Sequence, residues 1–174
     1  YLKLVSHMDY ISAPWRMDYI LSNSDKHEEE KGGTGCIFCD FPKLDDDEKH
    51  LILHRGKRAF VILNAFPYNP GHLMVVPYRH TADFPGLEPE ELAEMMSLAQ
   101  TACRALTELM HPQGFNMGIN IGKIAGAGID QHLHIHVVPR WGGDTNFMPV
   151  LGEVRVLSEA NYSVWKRLKA VWPK

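Results

Sequence analysis

Histidine occupies every second position from 132 to 136, in the run Gln131-His132-Leu133-His134-Ile135-His136-Val137-Val138. Imidazole can serve as nucleophile, proton carrier, phosphate partner or metal ligand near neutral pH. Polar and branched apolar residues alternate here with a period of two, the pattern of a half-buried strand whose side chains project to opposite faces in turn. Three rings are therefore expected in a row on one face, with Leu133, Ile135 and Val137 holding the other face in the core. Positions two apart on a strand lie about 6.5–7 Å apart, so neighbouring rings can reach one phosphate or one metal ion.

Two chemistries fit such a row. One is a transition-metal site with three imidazole ligands. The other is phosphoryl or nucleotidyl transfer, with one ring attacking and its neighbours holding phosphate oxygens. The preceding loop, Gly122-Lys123-Ile124-Ala125-Gly126-Ala127-Gly128, favours phosphate. Its small residues let backbone N–H groups approach an anion closely, and it lacks the Gly-Lys-Ser/Thr of a Walker loop. A second constellation is Cys36-x-x-Cys39, whose spacing suits a metal or a redox pair.

These residues need a scaffold. Strands are expected at Leu51–His54, Ala59–Leu63, His72–Pro77 and Gly114–Ile121, with Arg55-Gly56 turning the first into the second. The histidine strand makes a fifth. Between the third and fourth, a helix is expected from Pro89 to His111, with Leu92, Met95, Met96, Ala99, Ala102, Cys103, Leu106 and Met110 as its apolar face. A short helix is expected after Pro14, and an amphipathic stretch from Glu159 to Trp172. The fold class is α+β, one domain around an antiparallel sheet. Residues 1–8 contain Ser-His-Met, a common cloning scar, so they read as a vector-derived tail and 9–174 as the domain. His7, His27, His50, His54 and His111 read as solvated surface, and Cys103 as core.

Composition bounds the partners. The chain has 174 residues, 45% hydrophobic and 22% charged, with a formal net charge of −3, which gives no field to attract nucleic acid or an anionic membrane. No apolar run has the length of a membrane span, and no signal peptide is expected. Three cysteines, two of them in one Cys-x-x-Cys, suit a reducing compartment such as the cytoplasm.

The chain resembles the histidine triad superfamily, whose motif His-φ-His-φ-His-φ-φ is matched by His132-Leu-His134-Ile-His136-Val-Val. The resemblance extends over most of residues 35–148 and includes Asn64 followed by Pro70-Gly71-His72. It implies an antiparallel sheet of about five strands with one long helix and shorter terminal helices. It also implies a mechanism in which His134 attacks the α-phosphorus of a nucleotide, leaving a covalent nucleotidyl-histidine that an acceptor then releases. His136 would hold phosphate oxygens or assist the leaving group, and Asn120 would contact the α-phosphate with the loop residues Gly126, Ala127 and Gly128. Asn64 would bind the ribose, His72 would stand behind the triad as an orienting residue, and Ile37, Phe38 and Leu63 would line the base slot. Some members of the superfamily hold structural zinc with a cysteine pair, a later histidine and the first triad histidine; here those positions are Cys36, Cys39, His80 and His132. That assignment leaves His134 and His136 for substrate. A divalent cation such as magnesium would accompany the substrate phosphates, and the family implies a two-fold homodimer.

The flanks Pro14-Trp15-Arg16-Met17-Asp18-Tyr19, Tyr68 to Pro77 and Val138 to Phe147 are similar to bacterial diadenosine tetraphosphate phosphorylases. Those carry a serine where this chain has Gly128 and need not carry the cysteine pair, while His136 fits the hydrolases. The expected substrate is thus a purine nucleotide or dinucleoside polyphosphate, with water or phosphate as acceptor. A nucleoside phosphoramidase and a non-catalytic purine-nucleotide-binding module are the alternatives.

Overall fold

A computed structural model describes residues 34–145 and 159–173. The expected tail, the helix after Pro14, and the residues His7 and His27 lie outside this range. Five strands form one sheet in the order β1-β2-β3-β5-β4, with β1 at Ile52–Arg55, β2 at Ala59–Leu63, β3 at Leu73–Pro77, β4 at Gly114–Ile119 and β5 at Ile135–Arg140. Every neighbouring pair is antiparallel. The helices are a short α1 (Ile37–Asp40), the long α2 (Pro89–Met110) and the C-terminal α3 (Asn161–Val171).

Strand alternation divides the core into two. Ala59, Val61 and Leu63 of β2, Leu73 and Val75 of β3, and Ile135 and Val137 of β5 point to one face, where α2 and α3 cover them. Phe60, Ile62, Met74 and Val76 point to the other, where Cys36 and Phe38 pack. His136 pairs with Met74 and with Gly118, which places it on this second face. The helices thus hold the sheet from behind and leave its front to the histidines.

The limits of α2 follow from its sequence. Glu88 and Glu91 form a reciprocal capping box at its start, with Pro89 in the first turn. His111 ends it in the left-handed conformation (φ 47°), its N–H reaching Thr107 O, and Pro112 follows. The buried face is Glu91, Met95, Leu98, Ala99, Ala102, Ala105 and Leu106. Met96, expected to be core, is exposed, because it stands about 100° round the helix from Met95. Glu91 is buried instead, gripped by the Arg79 guanidinium at 2.6–3.2 Å.

Helix α3 secures the other margin of the sheet. Trp165 Nε1 donates to Ile52 O at 3.0 Å and Lys169 Nζ to Leu53 O at 2.8 Å. Trp172, which follows the helix, stacks on His54, so His54 is half-buried and not the solvated side chain expected; His50 likewise packs on Phe41. Two strand limits also differ from expectation. β4 stops at Ile119, since Asn120 turns its side chain to Gly126 O. β5 begins only at Ile135, since the N–H of Leu133 goes to Thr81 O and not into the ladder.

Candidate functional site

The three histidines of the motif occupy different environments. His132 is fully buried (0% exposed), His134 nearly so (5%), and His136 is half-buried on the open face. Phe38 wedges between the first two, with ring centroids 5.5 Å from His132 and 5.1 Å from His134. His134 and His136 meet edge to face at 4.7 Å.

Backbone groups cannot change their hydrogen-bonding roles, so they fix which nitrogen of each ring carries the proton. His132 Nε2 lies 2.8 Å from Pro77 O; its proton is therefore on Nε2, and Nδ1 presents a lone pair. His134 Nδ1 lies 2.9 Å from His132 O; its proton is on Nδ1, and Nε2 presents a lone pair. Burial pushes His134 below its ordinary pKa, only partly opposed by that carbonyl. The ring is thus neutral and nucleophilic at physiological pH.

His136 is set by a longer chain. The N–H of Tyr68 donates to His72 Nδ1 at 3.1 Å, and Asn64 Nδ2 reaches the same nitrogen at 3.3 Å. The proton of His72 is therefore on Nε2, which lies 2.9 Å from His136 Nδ1. His136 accepts at Nδ1 and carries its own proton on Nε2. A neutral imidazole N–H of this kind can hydrogen-bond a phosphoryl oxygen as charge develops there. His72 is 1% exposed and stands behind His136.

The loop between β2 and β3 makes that chain possible. Its last four residues, Asn69-Pro70-Gly71-His72, close with His72 N–H to Asn69 O at 3.1 Å, and Gly71 has φ 81°, the pattern of a type II turn. A Cβ at Gly71 would also come within 2.9 Å of Leu106 Cδ2 and Met110 Sδ, so both backbone and packing require glycine there.

The second cluster lies beside the first. Donor atoms of Cys36, Cys39, His80 and His132 all fall within 4.8 Å of one another. The separations are 3.4 Å from Cys36 Sγ to His132 Nδ1, 3.5 Å from Cys39 Sγ to His132 Nδ1, 3.2 Å from Cys39 Sγ to His80 Nδ1 and 3.2 Å from His80 Nδ1 to His132 Nδ1. A tetrahedral zinc with thiolate and imidazole ligands has edges of about 3.3–3.8 Å, so this donor set, with separations of 3.2–3.5 Å, can hold a metal ion. The Pro77 carbonyl supplies the outer-shell acceptor that a ligating histidine requires. Burial pushes the Cys36 thiol up to about 11 and His132 down to about 4; a cation is what would offset the cost of a thiolate here.

The remaining expected residues are distributed unevenly. Asn120 anchors the glycine loop through Gly126 O at 3.3 Å, where Ala127 is buried and Gly126 and Gly128 are exposed. By the register of β4 and β5, in which Ile119 faces Ile135 and Gly118 faces His136, Asn120 follows on the side of His134. Asn64 is half-buried, and its Oδ1 accepts the Phe66 N–H at 2.9 Å. Ile37 and Phe38 belong to the histidine-side core. Leu63 does not: it is 2% exposed within the helix-side core, because it shares strand parity with Val61, and it cannot line a slot on the opposite face. Tyr68 and Asn69 were not singled out from sequence, since their contributions run through a backbone N–H and a loop clasp.

The sequence model of the family described as "HIT domain" matches residues 46–143. The AP-4-A phosphorylase of Mycobacterium tuberculosis is 40% identical over 162 residues, covering 92% of this chain and 83% of that protein. A zinc-bound histidine triad family protein from Mycobacterium smegmatis has a similar structure: TM-score 0.64, 31% identity, 79% of this chain and 92% of that one. The Plasmodium falciparum diadenosine triphosphate hydrolase, 21% identical with TM-score 0.56 over 71% of this chain and 74% of that one, shares the fold.

Proposed function

This chain belongs to the HIT domain family, and on that premise we propose that it cleaves dinucleoside polyphosphates such as diadenosine tetraphosphate through a covalent nucleotidyl-histidine on His134. The observation that carries this reading is the tautomer of His134. Its Nδ1–H is held by the His132 carbonyl, so the lone pair on Nε2 is directed away from the backbone and beside His136.

In the first step Nε2 of His134 forms a bond to the α-phosphorus as the bond from phosphorus to the bridging oxygen breaks. The leaving nucleotide departs with that oxygen. The Nε2–H of His136 hydrogen-bonds phosphoryl oxygens as charge gathers on them, and the amide of Asn120 with the N–H groups of the glycine loop does the same from the other side. In the second step an oxygen of water or phosphate attacks phosphorus from the side now open. The P–N bond breaks, the proton of an attacking water passes to solvent, and neutral His134, still carrying its Nδ1–H, is restored. Asn64 binds the ribose hydroxyls beside the apolar Ile37 and Phe38. Any magnesium travels with the polyphosphate as part of the substrate.

Cys36, Cys39, His80 and His132 would hold structural zinc, which would tie the segment before α1 to the approach to β5. The exposed Met117 and Ile121 at and just beyond the edge strand β4 suit contact with a second copy, giving a homodimer. Residues 9–174 act as one domain in this reading, within the cytoplasm.

Incubation with diadenosine tetraphosphate, with and without phosphate, tests the reaction. ATP plus ADP formed only with phosphate identifies a phosphorylase; ATP plus AMP without it identifies a hydrolase. Nucleotide binding with no turnover of this substrate would sink the proposal and leave a binding module, or a phosphoramidase if adenosine phosphoramidate is cleaved.

A further inference from the structure

The loop from Asn64 to His72 determines the proton position on His136, and two clasps hold that loop. At one end Asn69 Nδ2 donates to Asp144 Oδ2 at 2.8 Å and to Pro139 O at 3.0 Å. Asp144 is itself braced by the Arg140 guanidinium at 2.6 and 2.8 Å and by the Trp141 N–H at 3.1 Å. At the other end Asn161 Nδ2, from the first turn of α3, donates to Asn64 O at 3.1 Å and Ala65 O at 3.2 Å. Asp144 and Asn161 both lie C-terminal to residues 46–143, the span of the family match.

We propose that Asn69 with Asp144, and Asn161, are positioning residues that fix the tautomer of His136 by holding the Tyr68 N–H on His72. A backbone N–H can only donate, so it fixes the role of the nitrogen it meets. Two groups of the loop oblige His72 to carry its proton on Nε2: the Tyr68 N–H, and the Asn64 amide, whose Nδ2 is turned to Nδ1 while the Phe66 N–H holds its Oδ1. Were the loop to drift, His72 could carry its proton on Nδ1 and present a lone pair to His136. His136 would then turn its own proton inward to Nδ1, and its Nε2 would face the phosphate as a lone pair. A donor would become an acceptor aimed at an anion. Polar groups of this type act in catalysis only when they are set in advance.

The proposal rests on the nucleotidyl-transfer reading for its kinetic consequence, but not for its spectroscopic one. Asn69→Ala and Asn161→Ala each remove one clasp, and Asp144→Asn weakens the first without emptying its space. In protein labelled with nitrogen-15 at histidine, the wild type should show His136 protonated at Nε2, and the variants a mixture of tautomers. With diadenosine tetraphosphate, kcat should fall about tenfold or more in Asn69→Ala and Asn161→Ala, with KM within about twofold, since the lost interaction strengthens in the transition state. An unchanged His136 tautomer in all three variants overturns the proposal, as does a shifted tautomer with unaltered kcat. If the wild type turns over no nucleotide, the functional reading fails while the tautomer measurement still decides this one.

Discussion

The Nδ1–H of His134 donates to the carbonyl oxygen of His132 across 2.9 Å, while the ring of His132 faces Cys36, Cys39 and His80. One residue therefore touches the His134 ring through its backbone and the metal-type cluster through its side chain. Whatever holds the His132 ring also holds the carbonyl that selects the His134 tautomer.

The sharpest consequence concerns His134 itself. His134→Ala should lower kcat with diadenosine tetraphosphate by on the order of a thousandfold or more, as loss of a covalent nucleophile does. Acid-quenched wild-type enzyme should show an adduct of nucleotide mass on the peptide containing His134. Near-normal turnover in the alanine variant would remove this residue from the mechanism.

Metal content is measurable directly. Protein purified without added metal should contain about one zinc per chain, and Cys39→Ser should contain far less. Because four protein ligands close such a site, chelation should lower the melting temperature. Zinc content unaltered by Cys39→Ser would refute the assignment.

Acidification should destabilise the metal-free protein. Burial pushes His132 down to about 4 and lowers His134 as well. The unfolded chain, with imidazoles near about 6.5, then binds more protons than the folded one as pH falls. Stability from these rings is complete above that value and is lost between it and about 4, where His132 begins to protonate in the folded state. Thermal melts in chelator at pH 7.5 and 5 should differ accordingly, and a higher midpoint at pH 5 would contradict this. The same depression of His134 places the acid limb of kcat below about pH 6.5.

Two packing variants test the scaffold. Phe38→Ala should cost about 3–5 kcal/mol, since the ring is buried against His132 and His134. Gly71→Ala should cost about 1–3 kcal/mol through its positive φ and its contacts with Leu106 and Met110. Chemical denaturation measures both.

Much of this was readable from periodicity. The hairpin at Arg55-Gly56, the strand through Val75 and the helix after Pro89 all follow from local pattern. The histidine run gave the correct parity for Ile135 and Val137 but suggested three equivalent rings. Their inequivalence comes from partners far along the chain, Pro77 for His132 and Tyr68 through His72 for His136, which no alternation encodes. Leu63 was assigned to a slot because its type fits one, whereas strand parity sends it to the helices. The Cys36-x-x-Cys39 pair was visible, yet its partners His80 and His132 came from family likeness and needed folded geometry to test.

The side chains of Trp165 and Lys169 that take the carbonyls of Ile52 and Leu53 bear on how copies of this protein could associate. They plug the β1 margin, so a further strand adding there would have to displace the C-terminal helix. Among the described residues the sheet ends on its other side at β4. A ribbon blocked at one end can join only one other of its kind through the remaining end. Edge-to-edge association would therefore stop at a pair and could not run on into a fibre.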